Sequence, residues 1–393
     1  MERLAKQLNE FNREILEGKR ETPRCFIGFD GFTDEIISVV KTRESYDSYL
    51  PYEKMSAFGK TITEAAGKSC NMELVTKKIK LGGNAPILCN SLLNGGHHIY
   101  FAGCIGKNGE IEALFQPISS RCQKVWSLGA SALTDALEFN DGKVILGKHH
   151  SLRDVTYENC ASLIGTEEWA KLLDTIDLFV SANWTMLPLM TDIWEKIVSE
   201  IIPKFRSDHP RYMFVDLADP AKRSDNDLRN AVNALKAFMP AFSIVFGLNK
   251  AEAERIAKVL GIPNREDPGE LAKAIREKTN FSEIVIHSSK FAVLSCSAGE
   301  YHQKTRYNPK PVVSTGAGDN FNAGYCNALL YHCSYEDRLL SAVANSGYYV
   351  SHGKSPEMLE LAEYLLEWQA EEKNDAAENT HSVGKIPGKP SKG

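Results

Sequence analysis

The chain has 393 residues, of which 43% are hydrophobic and 25% are charged, and a formal net charge of −5 at pH 7. This balance is ordinary for a globular protein, and the excess of acid argues against a general nucleic-acid-binding surface. No apolar run approaches the ~20 residues that a membrane span needs. Nine cysteines without a C-x-x-C pair indicate neither a disulfide framework nor a zinc site. We therefore expect a cytoplasmic protein without a nucleic-acid or membrane partner.

The first hundred residues predict a helical extension and then a strand–helix–strand series. Residues 1–23 carry apolar side chains at helical spacing. The pattern then predicts strands at 25–28 and 35–40, a helix at 84–93 that stops at a glycine pair, and a strand at 98–102. This order is that of a βαβ unit, which predicts a parallel sheet.

The middle of the chain departs from that pattern. Residues 131–139 and 143–146 predict two strands around an Asn-Asp-Gly turn, which is a hairpin signal. A hairpin inside a βαβ series suggests a small sheet outside the main layer. We therefore predict a lid built from segments near residues 35–55 and 131–150.

The α/β pattern then resumes and continues almost to the end of the chain. The predicted strands are 178–182, 212–216, 243–247, 283–287 and 291–295, and the predicted helices include 194–204, 250–259, 335–350 and 356–371. The polar segment 373–393, rich in Pro, Gly, Ser and Lys, is expected to be disordered. One α/β domain is thus predicted over residues 24–372.

A glycine turn near the end is the most informative stretch. Pro311 to Val313 suggests the end of a strand, Gly316-Ala317-Gly318 a tight turn, and Asn320 to Leu330 a helix. Unpaired amides and the helix dipole make such a helix start attract anions. Asp319 places a carboxylate beside it, which suits phosphoryl transfer because an acid can take the proton of an attacking hydroxyl.

Other interpretations of this turn exist. The spacing is not that of the G-x-G-x-x-G dinucleotide fingerprint, and no Gly-Lys-Ser/Thr follows to make a Walker loop. Asp319 alone can equally be a helix cap.

Polar clusters follow several of the predicted strands, where ligands bind in open α/β sheets. Any one of them is more often a cap or turn residue, but their number favours a shared site. They are Asp30 with Asp34, Gly82-Gly83-Asn84, Asn183, Asp216, Asn249 with Glu252, and Asp319.

The Asn249-Lys-Ala-Glu252 segment has two interpretations. On a helix, positions three apart share a face, so the amide and the carboxylate can converge on a water or on Mg²⁺. The same spacing is that of a capping box. From spacing alone, the capping box is favoured.

Taken together, these motifs resemble the ribokinase/PfkB superfamily of carbohydrate kinases. Gly316-Ala317-Gly318-Asp319 is similar to the family's Gly-Ala-Gly-Asp signature, Asn249 and Glu252 to its Asn-x-x-Glu motif, and Gly82-Gly83 to its amino-terminal di-glycine motif. The resemblance covers roughly residues 24–355 in the family's motif order. Some features, such as the Gly-Gly-Asn-Ala-Pro run, are more similar to the ADP-dependent sugar kinases.

The resemblance implies a three-layer ribokinase-like sandwich with a β-sheet lid, and an ATP-dependent carbohydrate kinase that uses Mg²⁺. It implies that Asp319 is the general base and that the amides of Gly316, Ala317 and Gly318 form an anion hole. The implied acceptor-binding residues are Asp30, Asp34, Gly82, Gly83, Asn84, Glu138 and Asn183. The implied nucleotide-binding residues are Asn249, Ser288, Thr315 and Asn345, with Glu252 and Asn249 holding Mg²⁺ through water.

Three positions depart from the family pattern. Val313 stands where relatives place an acid that helps bind a monovalent cation, so potassium activation is not expected. Ile87 replaces an Asn near the di-glycine motif, which removes a ribose contact. Glu138 keeps only the acid of a His-x-Glu motif of ADP-dependent enzymes.

Several alternatives stay open. The chemistry allows an ADP-dependent sugar kinase or a nucleoside kinase, and a non-catalytic sugar or nucleotide sensor would keep the same fold. The expected partners are a small-molecule sugar and a nucleotide, and a homodimer through the lid.

Overall fold

The computed structural model describes residues 1–382, with side chains through residue 374. Its strands in that range are β1 Arg24–Phe29, β2 Phe32–Arg43, β3 Tyr49–Pro51, β4 Leu74–Gly82, β5 His98–Cys104, β6 Gly106–Lys107, β7 Glu110–Ile111, β8 Lys124–Gly129, β9 Ala132–Phe139, β10 Gly142–Lys148, β11 Leu178–Ala182, β12 Tyr212–Asp216, β13 Ser243–Asn249, β14 Glu283–His287, β15 Phe291–Cys296 and β16 Gly299–Lys304.

The α-helices of the same range separate these strands. They are α1 Glu2–Leu16, α2 Met55–Glu64, α3 Asn84–Asn94, α4 Gln116–Ser119, α5 Tyr157–Ile164, α6 Thr166–Thr175, α7 Met190–Lys196, α8 Asp225–Lys236, α9 Lys250–Val259, α10 Pro268–Thr279, α11 Ala317–Leu330, α12 Tyr335–His352 and α13 Met358–Ser382.

A mostly parallel sheet forms the centre of the molecule. Within residues 1–382 its strand order is β16-β15-β14-β13-β12-β11-β1-β5-β8. The pairings from β14 to β8 are parallel, and β15 and β16 add an antiparallel edge. The predicted mostly parallel sheet is confirmed. Its parallel strands all end at one edge, where polar residues follow β1, β11, β12 and β13.

The sheet separates two hydrophobic layers, as the strand period of two requires. On β1, Phe26 packs into one layer, while Cys25 and Ile27 pack into the other. The first layer contains the apolar faces of α5 to α10, and the second those of α1, α3, α11, α12 and α13. Because α1 contributes buried Leu4 and Leu8 to that core, it is an integral part of the domain rather than a separate extension.

A second sheet stands over the carboxyl edge of the first and forms the predicted lid. Its strand order is β10-β9-β2-β3, and β4 pairs with the other side of β2. One face packs Ile37, Val39 and Leu137 against Phe58 of α2. The other face points toward the main sheet. The contribution of β4 was not included in the lid segments predicted from the sequence.

Two predicted segments differ from the structure. The strand predicted at 311–313 is wrong, because this segment is irregular and is held by a bond from the Val312 amide to the Val350 carbonyl oxygen (2.9 Å). The predicted tail at 373–393 begins within α13, and residues 383–393 lie outside the described part of the chain. Within residues 1–382, every helix is too short or too polar to cross a membrane.

Candidate active site

Two helix starts face each other where the lid meets the main sheet. Gly83 precedes α3 and Gly316 precedes α11, and both have φ of 93°, a conformation that favours glycine. The side-chain amide of Asn84, the first residue of α3, donates to a carboxylate oxygen of Asp319 in the first turn of α11 (2.7 Å). The first amides of α3 already donate to the Asp30 carboxylate, so the helix start that can attract an anion at this point is that of α11.

The space around Gly316 also leaves no room for a side chain. A Cβ atom there would lie 2.8 Å from the Tyr349 hydroxyl oxygen. That hydroxyl donates to the Thr315 carbonyl oxygen (2.8 Å) and so holds the turn in place. The glycine turn is thus fixed by α12 behind it and presents its amides forward.

A cavity of about 370 Å³ opens in front of Asp319, between the lid and the main sheet; we call it the lid cavity. It brings together most of the site residues predicted from the sequence. They are Asp34, Gly83, Asn84, Glu138, Asn183, Asn249, Glu252, Thr315, Gly316, Gly318 and Asp319.

Asp34 reaches this cavity from the lid and not from the end of a main-sheet strand. It lies within β2, opposite Lys80 of β4, and is 8% exposed. A Cβ atom at Gly82 would lie 2.5 Å from the Asp34 carboxylate, so this glycine makes room for the acid. Burial raises the pKa of Asp34. A polar ligand in the cavity can therefore be met by a desolvated carboxylate.

A second cavity, of about 490 Å³, adjoins the first and is called the outer cavity below. It shares Asn249, His287 and Gly318 with the lid cavity, and Ser288 and Ala317 also line it. Its far side is apolar, with Val343, Gly347 and Val350 of α12. The two cavities meet at the start of α11, which is the geometry that transfer between two ligands requires.

Buried acids crowd the main-sheet side of the lid cavity. Burial raises the pKa of Asp216 to about 6 and that of Glu252 to about 7, and the charge of Asp216 adds to the effect on Glu252. Burial, followed by the charges of Asp216 and Asp30, raises the pKa of Asp319 well above its ordinary value. These carboxylates are close enough to destabilise one another's charge.

The Asn249-x-x-Glu252 motif forms the capping box that its spacing favours. Asn249 Oδ1 accepts from the Glu252 amide (3.0 Å), and a Glu252 carboxylate oxygen accepts from the Asn249 amide (2.8 Å). The other Glu252 oxygen accepts from the Asp219 amide (2.9 Å). Both side chains still border the lid cavity, so the cap and a role toward a hydrated cation are compatible.

Two predicted ligand residues are corrected by the structure. Asp30 is fully buried, and its carboxylate accepts from the amides of Asn84 and Ala85 and from the Asn183 side chain (2.6 to 3.0 Å). It positions α3 and does not face the acceptor space. Asn345 is also buried, and its amide donates to Ser91 Oγ and to the Asn320 carbonyl oxygen, so it joins α12 to α3 and α11 and lines neither cavity.

Sequence reasoning missed two lysines that line the lid cavity, Lys80 on β4 and Lys143 on β10. Lysine on a half-exposed strand gives no local signal, because most such side chains are simply solvated. The register of the lid, which no short pattern specifies, is what brings both of them inward.

A doubly covered, mostly parallel sheet, a β lid and an aspartate at a glycine-capped helix start define a carbohydrate kinase of ribokinase-like fold. The family model described as prokaryotic ketohexokinase matches residues 2–368. The chain belongs to this family. A ketohexokinase from Haloferax volcanii is 26% identical to it over 351 residues, which cover 89% of this chain and 92% of that protein.

Solved structures confirm the fold. Ribokinase from Thermotoga maritima matches with a TM-score of 0.61 at 13% identity, over 88% of this chain and 99% of that one. Arabidopsis thaliana ribokinase complexed with ribose and ATP matches at 0.57, with 13% identity over 88% and 99% of the two chains. A Burkholderia thailandensis nucleoside kinase in complex with inosine matches at 0.56, with 14% identity over 87% and 95%.

Proposed function

We propose that this kinase transfers the γ-phosphoryl group of ATP to a hydroxyl group of a ketohexose, with Asp319 as the general base. The observation that carries the proposal is the position of Asp319: buried, at the start of α11, where the lid cavity and the outer cavity meet. Membership of the prokaryotic ketohexokinase family supports the class of acceptor.

Each of the two cavities suits a different substrate. The outer cavity suits the nucleotide, because an apolar wall at α12 can cover a base and its inner end reaches Ala317 and Gly318 at the start of α11. The lid cavity suits the sugar, because its volume of about 370 Å³ is small and it is lined by Asp34, Asn84 and Asn183. Carboxylate and amide side chains can hold several hydroxyl groups at once.

Phosphoryl transfer then needs only positioning, charge stabilisation and one proton acceptor. The Asp319 carboxylate takes the proton of the attacking hydroxyl, and the hydrogen bond from Asn84 holds that carboxylate in one orientation. The amides at the start of α11 stabilise charge on the phosphoryl oxygens. Closure of the lid sheet over the sugar would exclude water and limit hydrolysis of ATP.

Mg²⁺ fits this site through hard oxygen donors. Glu252 and Asn249 border the cavity and would hold waters of the ion rather than the ion itself, because both Glu252 carboxylate oxygens and Asn249 Oδ1 already accept backbone amide bonds. Bound there with the nucleotide, the ion would neutralise phosphate charge that the nearby acids would otherwise repel.

A nucleotide-consumption screen tests the proposal directly. The purified protein is offered D-fructose, an aldohexose, ribose and inosine, each with ATP and, in parallel, with ADP. We expect turnover with ATP and the ketohexose, with the other acceptors well below it. Preference for ADP or for the nucleoside would replace the proposal with one of those kinases. Binding of the sugar without any turnover would indicate a sensor.

A further inference from the structure

Acids line the lid cavity from both sides, since Asp34 and Glu138 belong to the lid, but the lysines that line it come from one side only. Asp216, Glu252 and Asp319 come from the main domain, whereas the lysines that line the cavity, in the described part of the chain, are Lys80 and Lys143 of the lid. A transferring phosphoryl group is an anion. Among the described residues that line this cavity, the main domain offers it backbone amides and acids but no lysine or arginine. The lid supplies that positive charge.

Lys80 is already matched within the lid. It lies opposite Asp34 in the pairing of β4 with β2, and the charge of Asp34 is its main favourable electrostatic contact. The pair faces the acceptor side of the cavity. The charge of Lys80 therefore serves mainly to orient the acid that would hold the sugar.

Lys143 reaches further, to the glycine turn itself. Its ammonium group donates to the hydroxyl oxygens of Thr315 and of Ser314. Thr315 directly precedes Gly316 and lines the lid cavity, whereas Ser314 lines the outer cavity. The ammonium thus lies next to the start of α11 and on the lid side of it, and Lys143 lines the lid cavity.

We propose that Lys143 is a catalytic residue, whose ammonium group contacts the phosphoryl oxygens during transfer. The proposal rests on the kinase function proposed above. As the bond from phosphorus to ADP breaks and the bond to the sugar oxygen forms, the sugar proton passes to Asp319. Lys143 stays protonated throughout and exchanges its hydroxyl partners for phosphoryl oxygens. It couples lid closure to catalysis, because the charge arrives only when β10 lies over the turn.

The chain provides a matched control on the same strand. Lys148 is five residues further along β10 and therefore on its opposite face, where it pairs with Asp135 (2.9 Å) outside the cavity. Lys143→Met and Lys148→Met remove the same charge from the same hairpin. Only the first removes it from the phosphoryl position.

Steady-state kinetics with ATP and D-fructose separate the outcomes. We expect Lys143→Met to lower kcat by about 10²-fold or more, as loss of one transition-state donor does, with a much smaller change in KM for fructose. Lys143→Arg should recover part of the loss, and Lys148→Met should match wild type. Wild-type kcat in Lys143→Met would overturn the proposal, whereas an inactive wild-type protein would instead overturn the kinase function.

A chemical-rescue experiment distinguishes the charge from a mechanical link between the lid and the turn. Propylammonium added to Lys143→Ala can restore an N–H donor at the phosphoryl group, but it cannot tie β10 to residues 314–315. Saturable rescue by propylammonium, and none by tetramethylammonium, is the expected result. Absence of rescue in a variant that melts like wild type would show that the lysine only fastens the lid.

Discussion

The two sides of the lid cavity differ in construction, and the lysines among the described residues that line it lie on the lid side. The main-sheet side presents Asp216, Glu252 and Asp319, each 8% exposed, from a strand end and from helix starts anchored in the core. The lid side presents lysines from strands whose other large side chains are often half exposed, such as Ile79 (54%) and Ile145 (55%).

This difference separates two tasks. Groups held in the core are desolvated before any substrate arrives, so their interactions are strong and cost little reorganisation during the reaction. The two lid lysines, unlike Asp34, are partly exposed, so they can contribute to binding and to the timing of catalysis. Substitutions on the main-sheet side should therefore change chemistry and stability, and most substitutions on the lid should change affinity.

The largest effect is expected for Asp319→Asn. The amide keeps the shape of the side chain but cannot accept the hydroxyl proton, so kcat should fall by about 10²- to 10⁴-fold while both substrates still bind. Pre-steady-state and steady-state turnover with ATP and fructose measure this loss. Near-normal turnover in this variant would remove Asp319 from the base role.

A substitution of Glu252 tests, through protein stability, whether the main-sheet side of the cavity is desolvated. Its folded-state pKa is raised from 4.5 to about 7, chiefly by burial, so the folded chain favours its neutral form. The contribution of Glu252 to the free energy of unfolding is thus most favourable at low pH. It declines as pH rises from about 4.5 to about 7. Glu252→Gln stays neutral and can still complete the capping box.

Urea unfolding of the protein without ligands at pH 5 and pH 8 measures that decline. Between the two pH values, the free energy of unfolding of the wild type should fall by up to about 3 kcal/mol relative to that of Glu252→Gln. Glu254→Gln provides the matched control, since Glu254 lies on the exposed side of α9 and its removal should leave the pH response of the wild type unchanged. An equal pH response in wild type and Glu252→Gln would mean that Glu252 ionises freely in the folded protein.

A substitution of Asp34 tests whether the lid side of the cavity binds the sugar. Replacing it by Asn removes a charged acceptor of sugar hydroxyl bonds, which should raise KM for the ketohexose by about 10- to 100-fold and leave KM for ATP nearly unchanged. Glu35→Gln, at the next position of β2 and so on the opposite face, is the matched control and should bind sugar normally. If Asp34→Asn instead lowered kcat with KM intact, the lid would belong to the chemical machinery at this position too.

The difference between the main sheet and the lid also explains which features could be predicted from the sequence. Main-sheet strands such as 178–182, 212–216 and 283–287 are short apolar runs followed by polar residues, and the structure has them at those bounds. The glycine turn and Asp319 carry a local signal because backbone conformation limits which residues fit there. Lys143 and Lys80 carry none, since their position depends on pairing between strands distant in the chain. Asn345 was expected to be a ligand from the resemblance, and a sequence cannot distinguish an amide that joins buried helices from one that binds a nucleotide.

The smallest effect concerns monovalent cations. Val313 lies beside the glycine turn, in a segment held to the end of α12 by amide bonds to the Val350 carbonyl oxygen, and its apolar side chain offers no oxygen to an ion. The resemblance implies an acid at this position in relatives that use such an ion, so we expect this chain to lack a charged ligand for it. Turnover measured in potassium, sodium and tetramethylammonium chloride at equal ionic strength should be the same, since only general screening remains. A specific activation by potassium would show that carbonyl oxygens alone bind the ion, and would make the segment before the turn a third contributor to the site beside the main sheet and the lid.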